Sequence, residues 1–390
     1  MNRRRDWIYL DYAATTPVRP EVLRAMESFW AETYGNPSSL HAAGRAARAA
    51  LDDARARIAG LLGAGRGDVV FTGSGSEADN LAVLGFARRR PEARILRSAV
   101  EHKAVLQAAA AAERGAGAEV VELPVDEHGV LRLDALEAAL RESDGRPTLV
   151  SVMWVNNETG VLQPIAEAAR LARAACALFH TDAVQAFGKT ALRVDEPPID
   201  LLALSAHKIG GPKGVGALYV RPQVELEPVV HGGGQERRLR SGTQAVPLAV
   251  GFARAAELAA QALDEEAARL TALRDRLEEG LRSEVPDLQV NGGDAPRVPN
   301  VLNVSLAGVT IDALLLALDL EGLGVSSGSA CTTGAVEPSH VAVAMGRTGE
   351  WAENTLRFSF GWASRDSDVD RALAVVPRVV ARVREMAAAG

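Results

Sequence analysis

Lys208 is one of four lysines in the chain, with Lys103, Lys189 and Lys213, so chemistry that needs a primary amine has few places to occur. It closes Leu201-Leu-Ala-Leu-Ser-Ala-His-Lys208, where four apolar residues spell a buried strand and Ser205, His207 and Lys208 fall where that strand would emerge. Gly210, Gly211, Pro212 and Gly214 follow and let the backbone turn tightly beside a ligand. In open α/β sheets, ligands sit outside the carboxyl ends of strands. A lysine there can condense with an aldehyde, while Ser205 and His207 can hold a phosphate. A lone lysine at a loop start is more often simply solvated, so the reading rests on its company.

That company begins 26 residues upstream, in Ala177-Leu-Phe-His-Thr-Asp182-Ala-Val-Gln185. This second strand ends in a carboxylate, with Gln185 one helical turn further on. Pyridoxal phosphate needs an acid beside its ring nitrogen, because a protonated ring is the better electron sink. Asp182 suits that task and Gln185 could bond the phenolate oxygen; alone, the pair would equally be an N-cap and a structural glutamine. Phe71-Thr-Gly-Ser-Gly75-Ser76-Glu-Ala-Asp-Asn80 offers a strand, a Gly/Ser turn and a helix start, whose backbone N–H groups attract a phosphate. His102, in Val100-Glu-His-Lys103, could stack on a cofactor ring and move protons near neutral pH, or be an ordinary half-buried histidine.

Two cysteines allow neither a disulfide framework nor a four-cysteine metal site. Cys176 lies among Ala175, Ala177 and Leu178 and reads as a small buried hydrophobe. Cys331, in Val325-Ser-Ser-Gly-Ser-Ala-Cys-Thr-Thr-Gly334, reads instead as a nucleophile on a polar loop. Arg357, inside the apolar run Thr355-Leu-Arg-Phe-Ser-Phe360, calls for an anion: a substrate carboxylate or an internal salt bridge.

The elements that must position these groups alternate short β-type runs with longer helical ones, the sign of an α/β layer fold. Strands are expected at Asp68 to Thr72, Arg94 to Ser98, Thr148 to Trp154, Ala177 to Thr181, Leu201 to Ser205 and Gly216 to Val220. Amphipathic helices are expected at Leu133 to Arg141 and Ile165 to Ala175. One long helix is expected from Gly251 to Arg282, joining residues 20–262, a large α/β domain, to a smaller α+β domain built from 1–19 and 263–390. In that smaller domain the strand Val301 to Leu306, the helix Asp312 to Leu320 and the strand Thr355 to Ser359 surround the Cys331 loop. A net charge of −7 gives no general nucleic-acid surface, and no stretch reaches the roughly 20 apolar residues of a membrane span. With no signal-like start, a cytoplasmic protein is expected.

Taken in order, these segments resemble the cysteine desulfurases of the NifS/IscS type, within the class V aminotransferase-like family of fold-type-I pyridoxal-phosphate enzymes. The resemblance also rests on Tyr9-Leu-Asp-Tyr-Ala-Ala-Thr-Thr-Pro17, Tyr34-Gly-Asn36-Pro-Ser-Ser39, Val155-Asn-Asn157-Glu158, His231-Gly-Gly-Gly-Gln-Glu-Arg237 and Arg240-Ser-Gly-Thr243. It implies that Lys208 binds pyridoxal 5'-phosphate covalently, that Asp182 meets the ring nitrogen and Gln185 the phenolate oxygen. Gly75, Ser76, Ser205 and His207 would hold the phosphate. Thr243 would reach the phosphate of a second subunit, which makes the expected state a homodimer with shared sites. Asn157 would lie near ring and substrate, His102 would be the stacked acid/base, Arg357 with Asn157 and Asn36 would bind L-cysteine, and Cys331 would accept the sulfur as a persulfide. No metal is implied.

The long stretch from Thr332 to Met345 resembles the iron–sulfur-assembly group, and a sulfur-acceptor protein is expected: an iron–sulfur scaffold, a tRNA-thiolation protein or a member of a cofactor pathway. Departures are Thr72-Gly-Ser-Gly-Ser76 where Thr-Ser-Gly-Gly/Ala-Thr is common, Gly361-Trp-Ala363 for Gly-Arg-Phe, and an end at Gly390 without a scaffold-binding extension. A selenocysteine lyase or another β-eliminating enzyme, and a non-catalytic sulfur-relay partner, stay open as alternatives.

Overall fold

Period-two burial accounts for the central sheet. In Leu201–Ser205 the side chains of Leu202 and Leu204 enter one apolar cluster, while Leu201 and Ala203 enter another on the opposite face. Leu96 and Ile95, Val150 and Leu149, and Phe71 and Val70 divide in the same way. Strands buried on both faces belong in a sheet covered by helices on both sides. The computed structural model describes residues 7–65, 68–328 and 338–389, so Cys331 lies outside the described residues.

The sheet has seven strands in the spatial order Val69–Thr72, Gly216–Val220, Leu201–Ser205, Leu178–Asp182, Thr148–Ser151, Arg94–Ser98 and Glu119–Leu123. All neighbours are parallel except Gly216–Val220, which opposes the strand on either side. Thr72, Ser98, Ser151, Asp182 and Ser205 therefore all end at one edge of the sheet, and the segments with chemical potential leave along that edge.

A second core gathers Leu10, Leu270, Leu277, Leu302, Leu356, Phe358 and Val379 around a four-stranded antiparallel sheet. Its order is Ser326–Ser327, Thr355–Ser359, Val301–Leu306 and Leu288–Val290. Leu10 belongs to this core and Ala13 to the large one, so the chain crosses between lobes within three residues. No single helix among the described residues is long and apolar enough to cross a membrane.

The single helix expected over Gly251 to Arg282 is corrected. Val246–Gln261 and Leu263–Glu284 are separate helices bent by 73° at Ala262. Phe252, Ala255 and Ala256 pack into the large core, and Leu270, Leu273, Leu277 and Leu281 into the small one. A straight helix would not serve both cores, and tertiary packing outweighs the continuous pattern. The strand Glu119–Leu123 had no sequence expectation, because only Leu123 of this edge strand is buried. The run from Thr148 ends as a strand at Ser151 rather than Trp154. Cys176, expected to be a small buried hydrophobe, is exposed, in the turn after the helix Ile165–Ala174.

Gly216 ties the sheet to the turn before Gly75. A Cβ there would come within 2.4 Å of the Ser74 carbonyl carbon and 2.7 Å of the Leu204 oxygen. These are backbone atoms that cannot rotate away. Gly216→Ala is expected to cost about 1–3 kcal/mol in denaturant unfolding. Unchanged stability would show that the sheet edge and the Ser74 turn yield freely.

Candidate active site

Lys208 leaves the sheet on a single 3-10 turn, Ala206–Lys208, and its ammonium turns back onto the N-terminal segment. Nζ donates to the carbonyls of Ala13 at 2.6 Å and Ala14 at 2.8 Å. Burial, helped by the Arg357 guanidinium, lowers its pKa to about 8, while Asp182 and Asp11 pull the other way. A lysine so placed has a large free-amine fraction in mildly alkaline solution, which is what condensation with an aldehyde requires. His207 contacts the same segment through Nδ1 and Thr15 Oγ1 at 3.1 Å, and burial with Lys208 nearby depresses its pKa to about 4. It is a neutral hydrogen-bonding ring at physiological pH.

Asp182 ends its strand buried, and Oδ1 accepts from the Val184 N–H at 2.9 Å. Burial raises its pKa, and His102, this hydrogen bond and Lys208 offset part of that. His102 caps the helix Lys103–Ala116, with Nδ1 accepting from the Ala104 N–H at 3.1 Å. Desolvation lowers its pKa, and the neutral ring that accepts at Nδ1 carries its proton on Nε2.

Gly75 opens the helix Gly75–Arg89, capped by Ser74 Oγ on the Glu77 N–H. A Cβ at Gly75 would meet Val184 Cγ2 at 2.7 Å and Ser205 Cβ at 3.4 Å, so the turn lies directly on the ends of the Asp182 and Ser205 strands. The first N–H groups of a helix are free for an anion, and Ser76 is exposed there. Gly75, Ser76, Asp182, Gln185, Ser205, His207 and Lys208 thus share one edge of the sheet, with His102 close to Asp182.

Arg357 reaches this edge from the middle of the small sheet. It is paired with Asp11 at 2.8 Å and donates to the Asn157 carbonyl at 2.7 Å, while its Nε is buried with no partner among the described residues. The internal salt bridge exists, and one donor remains. Asn157 is half-buried, pinned through its carbonyl. Asn36 is exposed and spends its side chain on the Ser38 N–H within its own turn. Thr243 is exposed on the loop after Arg240, and among the described residues no hydrogen bond joins Asn36 or Thr243 to the Lys208 group. That loop runs from a buried pair, Arg55–Glu236 at 2.6 Å, to an Arg240–Glu77 pair at 2.8 Å beside the Gly75 turn. The ends of the Cys331 loop are also fixed here: Ser326 pairs with Arg357 across the small sheet, and His340 Nε2 lies 3.0 Å from the Glu101 carbonyl.

Sequence reasoning missed a group of ionisable residues beneath the site. Asp79 is fully buried and its Oδ1 makes no hydrogen bond among the described residues, and a ligand atom each of Asp79, His102 and Asp182 falls within 4.8 Å of the others. His180 Nε2 is 3.5 Å from Asp79, its Nδ1 is 2.8 Å from Ser151 Oγ, and burial drives its pKa down to about 3. Glu101 accepts from the Met153 N–H at 2.7 Å and its Oε2 has no partner among the described residues. Burial first, and then the neighbouring carboxylates, raise Asp79 well above the usual range, and burial does the same for Glu101. The available signal was positional: His180 shares a strand face with Asp182, and Glu101 directly precedes His102.

The fold and this edge define an α/β enzyme that brings a helix N-terminus, a buried acid and a lysine of lowered pKa together. The chain belongs to the aminotransferase class-V family, which matches residues 8–372. The IscS-like cysteine desulfurase of Mycobacterium tuberculosis is 46% identical over 98% of this chain and 99% of its own length. Cysteine desulfurase IscS of Dictyoglomus turgidum is 43% identical over 97% of this chain and 95% of its own length. Among solved structures, a NifS-like protein superposes with a TM-score of 0.88 at 35% identity, covering 96% of this chain and 100% of that one. SspA in complex with cysteine gives 0.78 at 36% identity, covering 90% and 98%.

The free amine of Lys208 should grow as pH rises through about 8. The rate at which the cofactor-free protein condenses with an aldehyde is expected to rise over that range and then level. Removing the cation in Arg357→Met should move the midpoint up, and Asp182→Asn should move it down. Midpoints that stay together in the three proteins would contradict these couplings. Asp79, whose folded pKa is raised, binds its proton more tightly folded than unfolded. Stability from it is present at acid pH and lost as pH rises through the folded value. Asp79→Asn should therefore show a shallower loss of stability above the ordinary carboxylate range than the parent, and parallel profiles would refute the assignment.

Proposed function

We propose that the protein is a cysteine desulfurase that converts L-cysteine to L-alanine and takes the sulfur on Cys331 as a persulfide. The observation that carries the reading is the convergence of Lys208, Asp182 and the Gly75 helix terminus on one sheet edge, in a chain whose relatives bear that name. The residues fit pyridoxal 5'-phosphate. Gly75 leaves room a side chain would fill, Asp182 offers a buried carboxylate at the strand end, and Lys208 offers an amine close to its neutral form. Lys208 would hold the cofactor through its aldehyde, Asp182 its ring nitrogen, Gln185 its phenolate oxygen, and Gly75, Ser76, Ser205 and His207 its phosphate. When bound, the cofactor supplies an electron sink for breaking bonds at the substrate carbons.

The chain's own groups do the rest. Arg357 orients the substrate carboxylate through a guanidinium already fixed by Asp11 and Asn157. His102 holds a proton at Nε2 beside Asp182 and can pass it to or from the substrate. The Cys331 thiolate forms the S–S bond as the carbon–sulfur bond of cysteine breaks. The electron pair stays with carbon, which is protonated to the methyl group of alanine. A reaction that depends on a thiolate suits a reducing compartment, which supports a cytoplasmic location. Exposed Thr243, with Trp30, Tyr34 and Leu40 also exposed, supports a homodimer, and an iron–sulfur scaffold is the proposed acceptor.

The test is to load the protein with pyridoxal phosphate, record its absorbance, add L-cysteine, and assay alanine and sulfide. A cofactor band that shifts as alanine accumulates is expected. A protein that takes up no cofactor would end the reading. Cys331→Ser should keep the cofactor spectrum and lose persulfide, with turnover down roughly 10³-fold or more. Full turnover in that variant would mean another group accepts the sulfur.

A further inference from the structure

Lys189 is a half-buried lysine that the mechanism above does not use. Its Nζ donates to Gln185 Oε1 at 2.5 Å, and the Gln185 amide nitrogen donates to the Ala13 carbonyl at 2.8 Å. An ammonium or amine donor can meet only the oxygen of an amide, and a carbonyl can meet only the nitrogen. The two partners therefore leave Gln185 one orientation, with its remaining N–H free. Lys189 has no carboxylate of its own among the described residues. The ionisable groups around it are Lys208 and His207 beyond the neighbouring strand, Arg357 on the small sheet, Tyr12 and Arg19 of the N-terminal segment, and Glu266 at the start of the helix Leu263–Glu284. These last three, with Lys208, line the same cavity of about 60 Å³. Glu266 is its one lining carboxylate among the described residues, and Arg269 already holds it at 2.9 Å. Burial without an anion, next to the Lys208 and Arg357 cations, brings the Lys189 pKa down to about 7.

We propose that Lys189 is a positioning residue for the cofactor site: it fixes the Gln185 amide with an N–H turned to the phenolate oxygen and takes up a proton when that oxygen arrives. This rests on the cofactor reading above. The arriving negative charge and the polarised amide supply what the free protein lacks, a counter-charge passed along a short hydrogen-bond chain. Lys189 thus acts through Gln185, without touching the reacting atoms.

Pyridoxine 5'-phosphate has the phenol and the phosphate but no aldehyde, so its binding leaves Lys208 chemically unchanged. Calorimetric titration at pH 8 in two buffers of different ionisation enthalpy counts the protons taken up. Against the wild type, Lys189→Met should take up fewer protons, by roughly half a proton or more per site, and bind about tenfold more weakly. Lys189→Arg keeps a cation that does not titrate, so it should retain most of the affinity and lose the same proton uptake. In a Gln185→Leu background, Lys189→Met should weaken binding no further. Circular dichroism confirms that each variant is folded, and Lys189→Arg with Gln185→Leu decide the matter if Lys189→Met is not. Equal proton uptake in wild type and Lys189→Arg would overturn the inference and leave the cofactor reading intact. No binding by the wild type would overturn both.

Discussion

Two backbone carbonyls, of Ala13 and Ala14, hold the amine of Lys208, and much of the site follows from that grip. A buried lysine needs acceptors, and neutral carbonyls satisfy its N–H groups without the full countercharge that would keep it protonated. The same short segment accepts from Gln185 at Ala13, meets His207 at Thr15, and receives the Gly210 N–H on Thr16 Oγ1. On the other side, Ala13 N–H donates to Ser359 Oγ, and Asp11 pairs with Arg357. Six residues of chain thus connect the lysine of the large lobe to the arginine of the small one. A shift of this segment would move the amine, the amide and the guanidinium together.

Charge is the second constraint. Arg357 lies close enough to depress Lys208, and both depress Lys189, while Asp79, Glu101 and Asp182 share a volume too dry for three carboxylates. The two groups relax differently. Asp182 has His102, Lys208 and a backbone N–H to hold its charge, and among the described residues Asp79 has only the neutral ring of His180. Negative charge is therefore held more easily at the strand end than on its neighbour, a division set by environment rather than by residue type. Arg357 is paired with Asp11 and its Nε has no partner among the described residues, so a substrate carboxylate would meet a guanidinium that is already oriented but not fully occupied.

What the sequence made legible was local. The strand Leu201–Ser205, the Gly75 turn and the Asp182 strand end are each specified by a few consecutive residues whose period and turn chemistry agree. The break at Ala262 was not legible, because leucines and alanines continue through it and only the positions of two separate cores require the bend. Asp79, Glu101, His180 and Lys189 escaped for a related reason. Each is a polar residue in an ordinary helical, strand or loop context, and its meaning comes from which other element lies opposite. Glu119–Leu123 was hidden by being an edge strand, whose polar face resembles a loop.

The separation of lobes also bears on the sulfur acceptor. Cys331 follows a strand pair that includes Arg357, and the chain returns to the described structure at residue 338, close to His340 on the Glu101 carbonyl. Both anchors are thus tied to groups of the site, one to the strand that carries Arg357 and the other to the turn that presents His102.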